Sequence, residues 1–275
     1  MPDITLVHGG VMISAHDQPA LFDGAVAVSG EQIEAVGTYS ELSNKYPHAK
    51  ACGGKKFLLI PGLINGHGHG RGLTDFQRGA LDNTLESWLL DTRKYIPVST
   101  YDDVAYSAIR LLKSGVTTTM HNHTFLKDPA EYEDEFGEAL KAYRDAGMRV
   151  QFNPGVRNAN PFIYGDNKAF LDVLPEKLRA LLTTPPPPGS LSGENFVEAV
   201  MDLHKRWNRP MSKIGFGPVA PQWCTDKLLM QVRRQAESIQ AHIHVHAVQS
   251  IFQKIYGLEF LGKTLVQHMH DIGFL

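Results

Sequence analysis

An alternation of apolar and amphipathic segments runs through the chain from Phe57 onward. Each apolar segment has the length of a strand, and each is followed by a stretch with helical periodicity. The five apolar segments are FLLIPGLING, VTTTMHNH, MRVQFNPGV, SKIGFGPVAP and AHIHVHAV. Gly115 and Gly147 follow two of the predicted helices, where a left-handed C-cap favours glycine. Strands that alternate with helices form parallel sheets, so the pattern predicts an α/β fold with about five βα units.

Residues 1–56 follow a different pattern. The segments ITLVHGGVMIS and GAVAVSGEQIEAVG are rich in valine and isoleucine and are interrupted by glycines, which is typical of short strands joined by hairpins. We therefore predict two domains, a small N-terminal β layer over 1–56 and the βα units over 57–275.

Composition restricts the classes of partner. The formal net charge of −2 over 275 residues provides no basic surface, so we expect a small-molecule substrate and no nucleic acid. Two cysteines far apart, Cys52 and Cys224, encode neither a disulfide framework nor a thiolate zinc site. The start MPDITLVHGG lacks the features of a signal peptide, and no apolar run reaches the ~20 residues of a membrane helix. We expect a cytoplasmic protein with no membrane partner.

Histidines are clustered in this chain. Nine of the thirteen histidines form five His-x-His pairs, where chance placement gives fewer than one. His67 and His69 share a face of the first predicted strand near its carboxyl end, and His246 ends the fifth predicted strand. One interpretation of the first pair is a polar, glycine-rich turn. The other is a metal site, because three imidazoles supply about the number of protein ligands that a divalent ion needs in a catalytic site.

These motifs resemble a known family. PGLINGHGHG, followed at long range by HIHVHAVQS, is similar to the amidohydrolase superfamily, in the branch that holds cytosine deaminase, guanine deaminase and the triazine hydrolases. The resemblance implies a (β/α)₈ TIM barrel with a small N-terminal β-sandwich. It also implies one divalent metal ion, zinc first and iron as the alternative, held by His67, His69 and His246. Members of the family often pair, so a homodimer is a further expectation.

The chain departs from the family pattern at two places. Gln249 stands three residues after His246, where the family has a glutamate, and an amide cannot carry a proton. We therefore predict that Gln249 acts at the catalytic centre by orienting the substrate. The sequence also ends before the family's sixth strand, which carries a further histidine, and before the eighth, which carries an aspartate. We expect a truncated barrel of about five βα units, the N-terminal part of a longer protein.

The resemblance implies hydrolysis of a C–N bond, as in a deaminase, in a small cyclic nitrogen compound by a metal-activated water. One alternative is a hydrolase that releases an alkylamino, imino or halide group, because a good leaving group does not need a strong acid. The other alternative is an inactive, incomplete fragment that lacks the later histidine and aspartate.

Five residues are candidates for substrate contacts at the carboxyl ends of the strands. Each has an ordinary structural alternative: loop polarity for the histidines, solvation for the arginine and core packing for the tryptophans. The candidates are His121, His123, Arg157, Trp88 and Trp223.

Overall fold

The structure is a computed structural model that describes residues 3–124 and 126–275. The chain divides into two compact units, residues 1–63 and 64–275. The strands are β1 (Ile4–Met12), β2 (Leu21–Ser29), β3 (Gln32–Thr38), β4 (Lys50–Leu59), β5 (Leu63–Gly68), β6 (Val116–His123), β7 (Arg149–Val156), β8 (Ser212–Ile214) and β9 (Gly217–Pro218). The α-helices are α1 (Tyr39–Lys45), α2 (Leu85–Asp91), α3 (Thr100–Lys113), α4 (Tyr132–Ala146), α5 (Asn167–Asp172), α6 (Glu176–Thr183), α7 (Phe196–Trp207), α8 (Asp226–Ile239), α9 (Ile251–Phe260) and α10 (Leu265–Asp271).

The first unit is a four-stranded sheet in the order β3-β2-β1-β4. β2 and β3 form the predicted hairpin, in which Gly30 has a φ of +56°, a left-handed value that favours glycine. Helix α1 was not predicted. It begins with a capping box between Thr38 and Glu41, and its Leu42 packs into the small core formed by β1 and β2.

The second unit contains a sheet in the order β5-β6-β7-β8, with β9 also paired to β7. β6 and β7 are parallel, and β7 is parallel to both β8 and β9. The predicted α/β fold with a parallel sheet is confirmed. Within the part of the chain that the structure describes, strand pairing does not close this sheet into a barrel.

Helices α3, α4, α7 and α8 cover one face of this sheet. Their apolar residues meet the large side chains of β7 and β8 in a single core. Its fully buried members include Phe136, Leu140, Tyr143, Phe152, Phe196, Leu203, Ile214, Phe216, Leu228 and Leu229. This packing fixes the strands whose carboxyl ends carry the candidate site residues.

The fifth predicted strand, AHIHVHAV, differs from expectation. Ile243 makes an isolated parallel bridge with Phe216, and the rest of the segment forms no strand. Backbone hydrogen bonds from His244 to Phe216 and from His246 to Val219 hold it beside β9. Hydrogen bonds to one neighbouring strand position the segment without building a continuous ladder.

Helices α2, α5, α6 and α9 of the second unit lie outside the predicted alternation. α5 and α6 lie in the connection between β7 and α7, and α9 follows the histidine-rich segment. Among the described residues, no helix combines the length and the apolar character needed to cross a membrane.

Candidate metal centre

Three predicted ligands, His67, His69 and His246, lie together in the second unit. One ring nitrogen from each lies within 4.8 Å of the other two. The point equidistant from three nitrogens at that spacing lies about 2.8 Å from each of them. A zinc–imidazole bond is ~2.0–2.1 Å long, so each ring would need to move by less than ~1 Å to bind an ion at that point. His67 lies on β5, His69 directly follows β5, and His246 lies in the segment after α8.

The three rings surround the common point from different sides. The centroid of His67 lies 5.0 Å from that of His69 and 5.1 Å from that of His246, both edge to face. His69 and His246 stack with their centroids 5.3 Å apart. His67 is exposed, His69 is half-buried and His246 is buried, which leaves the site open on the His67 side.

Backbone carbonyls select the tautomer of two of these histidines. His69 Nδ1 donates to the carbonyl of Asn122 at 2.7 Å, and His246 Nδ1 donates to the carbonyl of Val219 at 2.8 Å. A carbonyl oxygen only accepts, so the proton lies on Nδ1 and the lone pair lies on Nε2. This is the arrangement that metal-bound histidines require.

Burial favours the neutral form of two of these rings, His69 and His246. It lowers the pKa of His69 to about 4, against a smaller opposing effect of the Asn122 hydrogen bond. Burial also lowers the pKa of His246. An imidazole must be deprotonated to bind a metal ion, so these environments favour the ligand form near neutral pH.

Gln249, the predicted substrate-orienting residue, is exposed and lies two residues before α9. Its side-chain oxygen accepts a long hydrogen bond from Gln253 at 3.5 Å, and its backbone N–H donates to the Gln253 side chain at 2.8 Å. Between His246 and Gln249 the chain passes through Val248, whose φ is +57°. A β-branched residue is strained in that conformation, so the backbone between His246 and Gln249 contains a strained residue.

His121 and His123 point into the layer between the sheet and the helices. His121 is completely buried and lies 3.1 Å from the hydroxyl of Tyr143, with its ring against Phe152. His123 bonds to His121 at 3.2 Å and forms a buried hydrogen bond with Glu135 at 3.0 Å. The structure thus places His121 in the core, while His123 also lines a cavity that His69 borders.

Of the other three candidates, Trp88 lines a cavity that also reaches His69. Arg157 is exposed directly after β7. Trp88 on α2 is half-buried, and its indole N–H donates to Asp75 at 3.1 Å. Trp223 is buried, with its ring 6.1 Å from that of Tyr164. Substrate contacts by these residues remain predictions.

Comparison with known proteins assigns the fold to a family. The Amidohydrolase family model matches residues 58–271, and a bacterial imidazolonepropionase-like composite domain matches residues 24–49. The first match covers more than half of the chain. The chain belongs to the amidohydrolase family. The predicted resemblance is therefore confirmed at the level of the family.

Individual relatives agree with this assignment. A 5-methylthioadenosine/S-adenosylhomocysteine deaminase of Syntrophus aciditrophicus is 25% identical over 98% of this chain and 55% of its own length. The structure of a variant of atrazine chlorohydrolase TrzN from Arthrobacter aurescens, determined with zinc and atraton, has a TM-score of 0.75 at 19% identity and matches 98% of this chain and 58% of its own. Guanine deaminase from C. acetobutylicum has a TM-score of 0.69 at 13% identity over 98% of this chain and 60% of its own. The chain thus spans about half the length of the curated relatives it matches.

A group of charged and aromatic residues beside His69, consisting of Arg78, Tyr95 and Asp103, was not predicted. These residues line a cavity of about 560 Å³ that also reaches His69 and His123. Arg78 and Asp103 form a buried ion pair at 2.9 Å, and the Arg78 guanidinium lies 4.5 Å from the Tyr95 ring centroid. These residues come together because of the path that the chain takes after β5. The sequence has no regular hydrophobic pattern there, so this path could not be predicted.

Proposed function

We propose that this chain carries the metal centre of a hydrolase that cleaves a C–N bond, as deaminases do, in a small cyclic nitrogen compound. The convergence of three histidine nitrogens within 4.8 Å supports this proposal. The donor set fits a borderline divalent ion such as zinc, with iron as the alternative, because it consists of neutral imidazoles. We place this activity in the predicted hydrolase domain, residues 57–275.

Each residue has a separate part in this proposal. His67, His69 and His246 would hold the ion through one nitrogen each, and the carbonyls of Asn122 and Val219 keep two of the rings in the ligand tautomer. A bound divalent ion supplies Lewis acidity and lowers the pKa of a water molecule toward ~7. Gln249 would orient the substrate by hydrogen bonds, since its amide cannot transfer a proton.

The substrate class follows from the relatives and from the open side of the site. Relatives named as deaminases act on a purine nucleoside or its thioether derivatives. We propose a small heterocycle with an exocyclic amino group as the substrate, approaching on the exposed side of His67. Two other properties stay proposals: that the protein works in the cytoplasm, and that it forms a homodimer.

Gln249 favours a second candidate function. A chain with an amide where the family has an acid would select leaving groups that depart without protonation, such as halide or an activated alkylamino group. The fold similarity to a chlorohydrolase is consistent with this alternative.

The test compares product release from matched substrates. The purified chain, supplied with one equivalent of zinc or iron, is incubated with 5′-methylthioadenosine, guanine and a chlorinated triazine, and ammonia and chloride are measured. Ammonia release that disappears in His246→Ala supports the first function, and chloride release alone supports the second. If neither ammonia nor chloride is released while the metal is bound, this chain is not catalytically active by itself. The alternative of an inactive fragment is then supported.

A further inference from the structure

His67 differs from the other two predicted ligands in its partner. The partner of the His67 ring is another imidazole: His67 Nδ1 forms a hydrogen bond of 2.8 Å with Nε2 of His244. His69 and His246 bond to backbone carbonyls instead. An imidazole partner can donate or accept, so the tautomer of His67 depends on the tautomer of His244.

A sulfur atom determines the tautomer of His244. The Nδ1 atom of His244 contacts Sδ of Met120, which lies on β6. A thioether has no proton to donate, so the nitrogen that faces it carries the N–H, and Nε2 of His244 is left as the acceptor. That acceptor receives the Nδ1–H of His67, which leaves Nε2 of His67 with its lone pair.

The same arrangement leaves His244 without a free lone pair. One of its nitrogens donates toward Met120 and the other accepts from His67. Its ring centroid lies 4.9 Å from that of His67 and 6.1 Å from that of His246. His244 can therefore orient a ligand, but in this arrangement it cannot be one.

We propose that His244 is the positioning residue that holds His67 in the metal-binding tautomer, through a hydrogen-bonded series from Met120 to His244 to His67. This inference rests on the proposed metal centre and extends it. It assigns to His244 the part that the carbonyls of Asn122 and Val219 perform for the other two ligands.

Zinc affinity of the whole chain tests the proposal. Loss of a partner that orients a ligand costs ~10–100-fold in metal affinity, so His244→Phe should raise the Kd for zinc by that factor while one equivalent still binds. His244→Gln carries an amide oxygen that can accept the His67 N–H, and it should stay within about threefold of the wild type. His242→Phe is the matched control, because His242 is exposed on the same segment.

Two affinity results would overturn the proposal. One is a His244→Phe variant that binds zinc as tightly as the wild type. The other is a His244→Gln variant that loses as much affinity as His244→Phe, because the loss would then not depend on a hydrogen-bond acceptor. Urea unfolding of each variant establishes that the protein is folded under the conditions of the titration.

A readout without metal separates this inference from the proposed function. Nitrogen-15 NMR of the metal-free protein reports which nitrogen of His67 carries the proton. We expect the Nδ1–H form in the wild type and in His244→Gln, and a mixture of tautomers in His244→Phe. If the wild type binds no zinc, the proposed function fails, but these spectra still decide the role of His244. An unchanged His67 tautomer in His244→Phe would refute it.

Discussion

Gly70 directly follows the predicted ligand His69, and its Cα lies against the ring of His121. Its φ is +66°, and a Cβ built at this position would lie 2.3 Å from Cε1 and 2.7 Å from Nδ1 of His121. The ring cannot move away easily, because His121 is completely buried. In Gly70→Ala, we therefore expect a left-handed backbone penalty of ~1–2 kcal/mol plus an overpacking cost of ~1–3 kcal/mol.

Gly147→Ala is the matched control for this prediction. Gly147 has a φ of +72°, and no atom lies within 4 Å of its built Cβ. This control should lose only the backbone contribution of about 1–2 kcal/mol. Urea unfolding measures the free energies of both variants, and zinc titration should show weaker binding in Gly70→Ala alone, since the segment that holds His69 must shift. Equal losses of stability in the two variants would refute the steric argument.

Three further predictions concern the thiols, a buried ion pair and acid stability. A thiol reagent at pH 8 should modify exposed Cys52 and spare Cys224, because burial raises the pKa of the Cys224 thiol to about 11; two reactive thiols in the native protein would contradict this. Asp103→Asn should lower the free energy of unfolding by about 3 kcal/mol, because it leaves the charge of Arg78 buried without its partner, and a loss below about 1 kcal/mol would be inconsistent. Hydrogen bonds from a lysine and a glutamine lower the pKa of Asp271 to about 2, so its contribution to stability is present above pH ~4 and is lost as the pH falls through about 2. Unfolding curves of the wild type and Asp271→Asn should therefore converge near pH 2 and separate above pH 4, and a constant difference across this range would exclude the assignment.

The hydrophobic periodicity of the sequence correctly predicted the strands and helices that bury one continuous apolar face. β6 and β7 lie within the predicted segments, and α3, α4, α7 and α8 follow the predicted amphipathic stretches. In each case one face meets the same core, so local pattern and tertiary packing agree. The fifth segment has the same pattern, but it forms a single bridge to Phe216 and no strand.

The candidate site was predictable only in part. The spacing of His67 and His69 and the distant His246 indicated a shared site, and the structure brings the three together. Alternation in β6 correctly places His121 and His123 on one face, but it does not show that this face packs against the helices. The carbonyls and the sulfur that contact these histidines are not marked in the sequence, because every residue has a carbonyl and methionine is common in cores.

The central claim, that one ion is bound by the three converging histidines, is tested most directly by X-ray absorption at the zinc edge of the reconstituted chain. We predict three imidazole nitrogens at ~2.0–2.1 Å from zinc in the wild type and in His242→Ala, and two in His246→Ala. The result that would contradict the account is a zinc environment that is identical in the wild type and in His246→Ala.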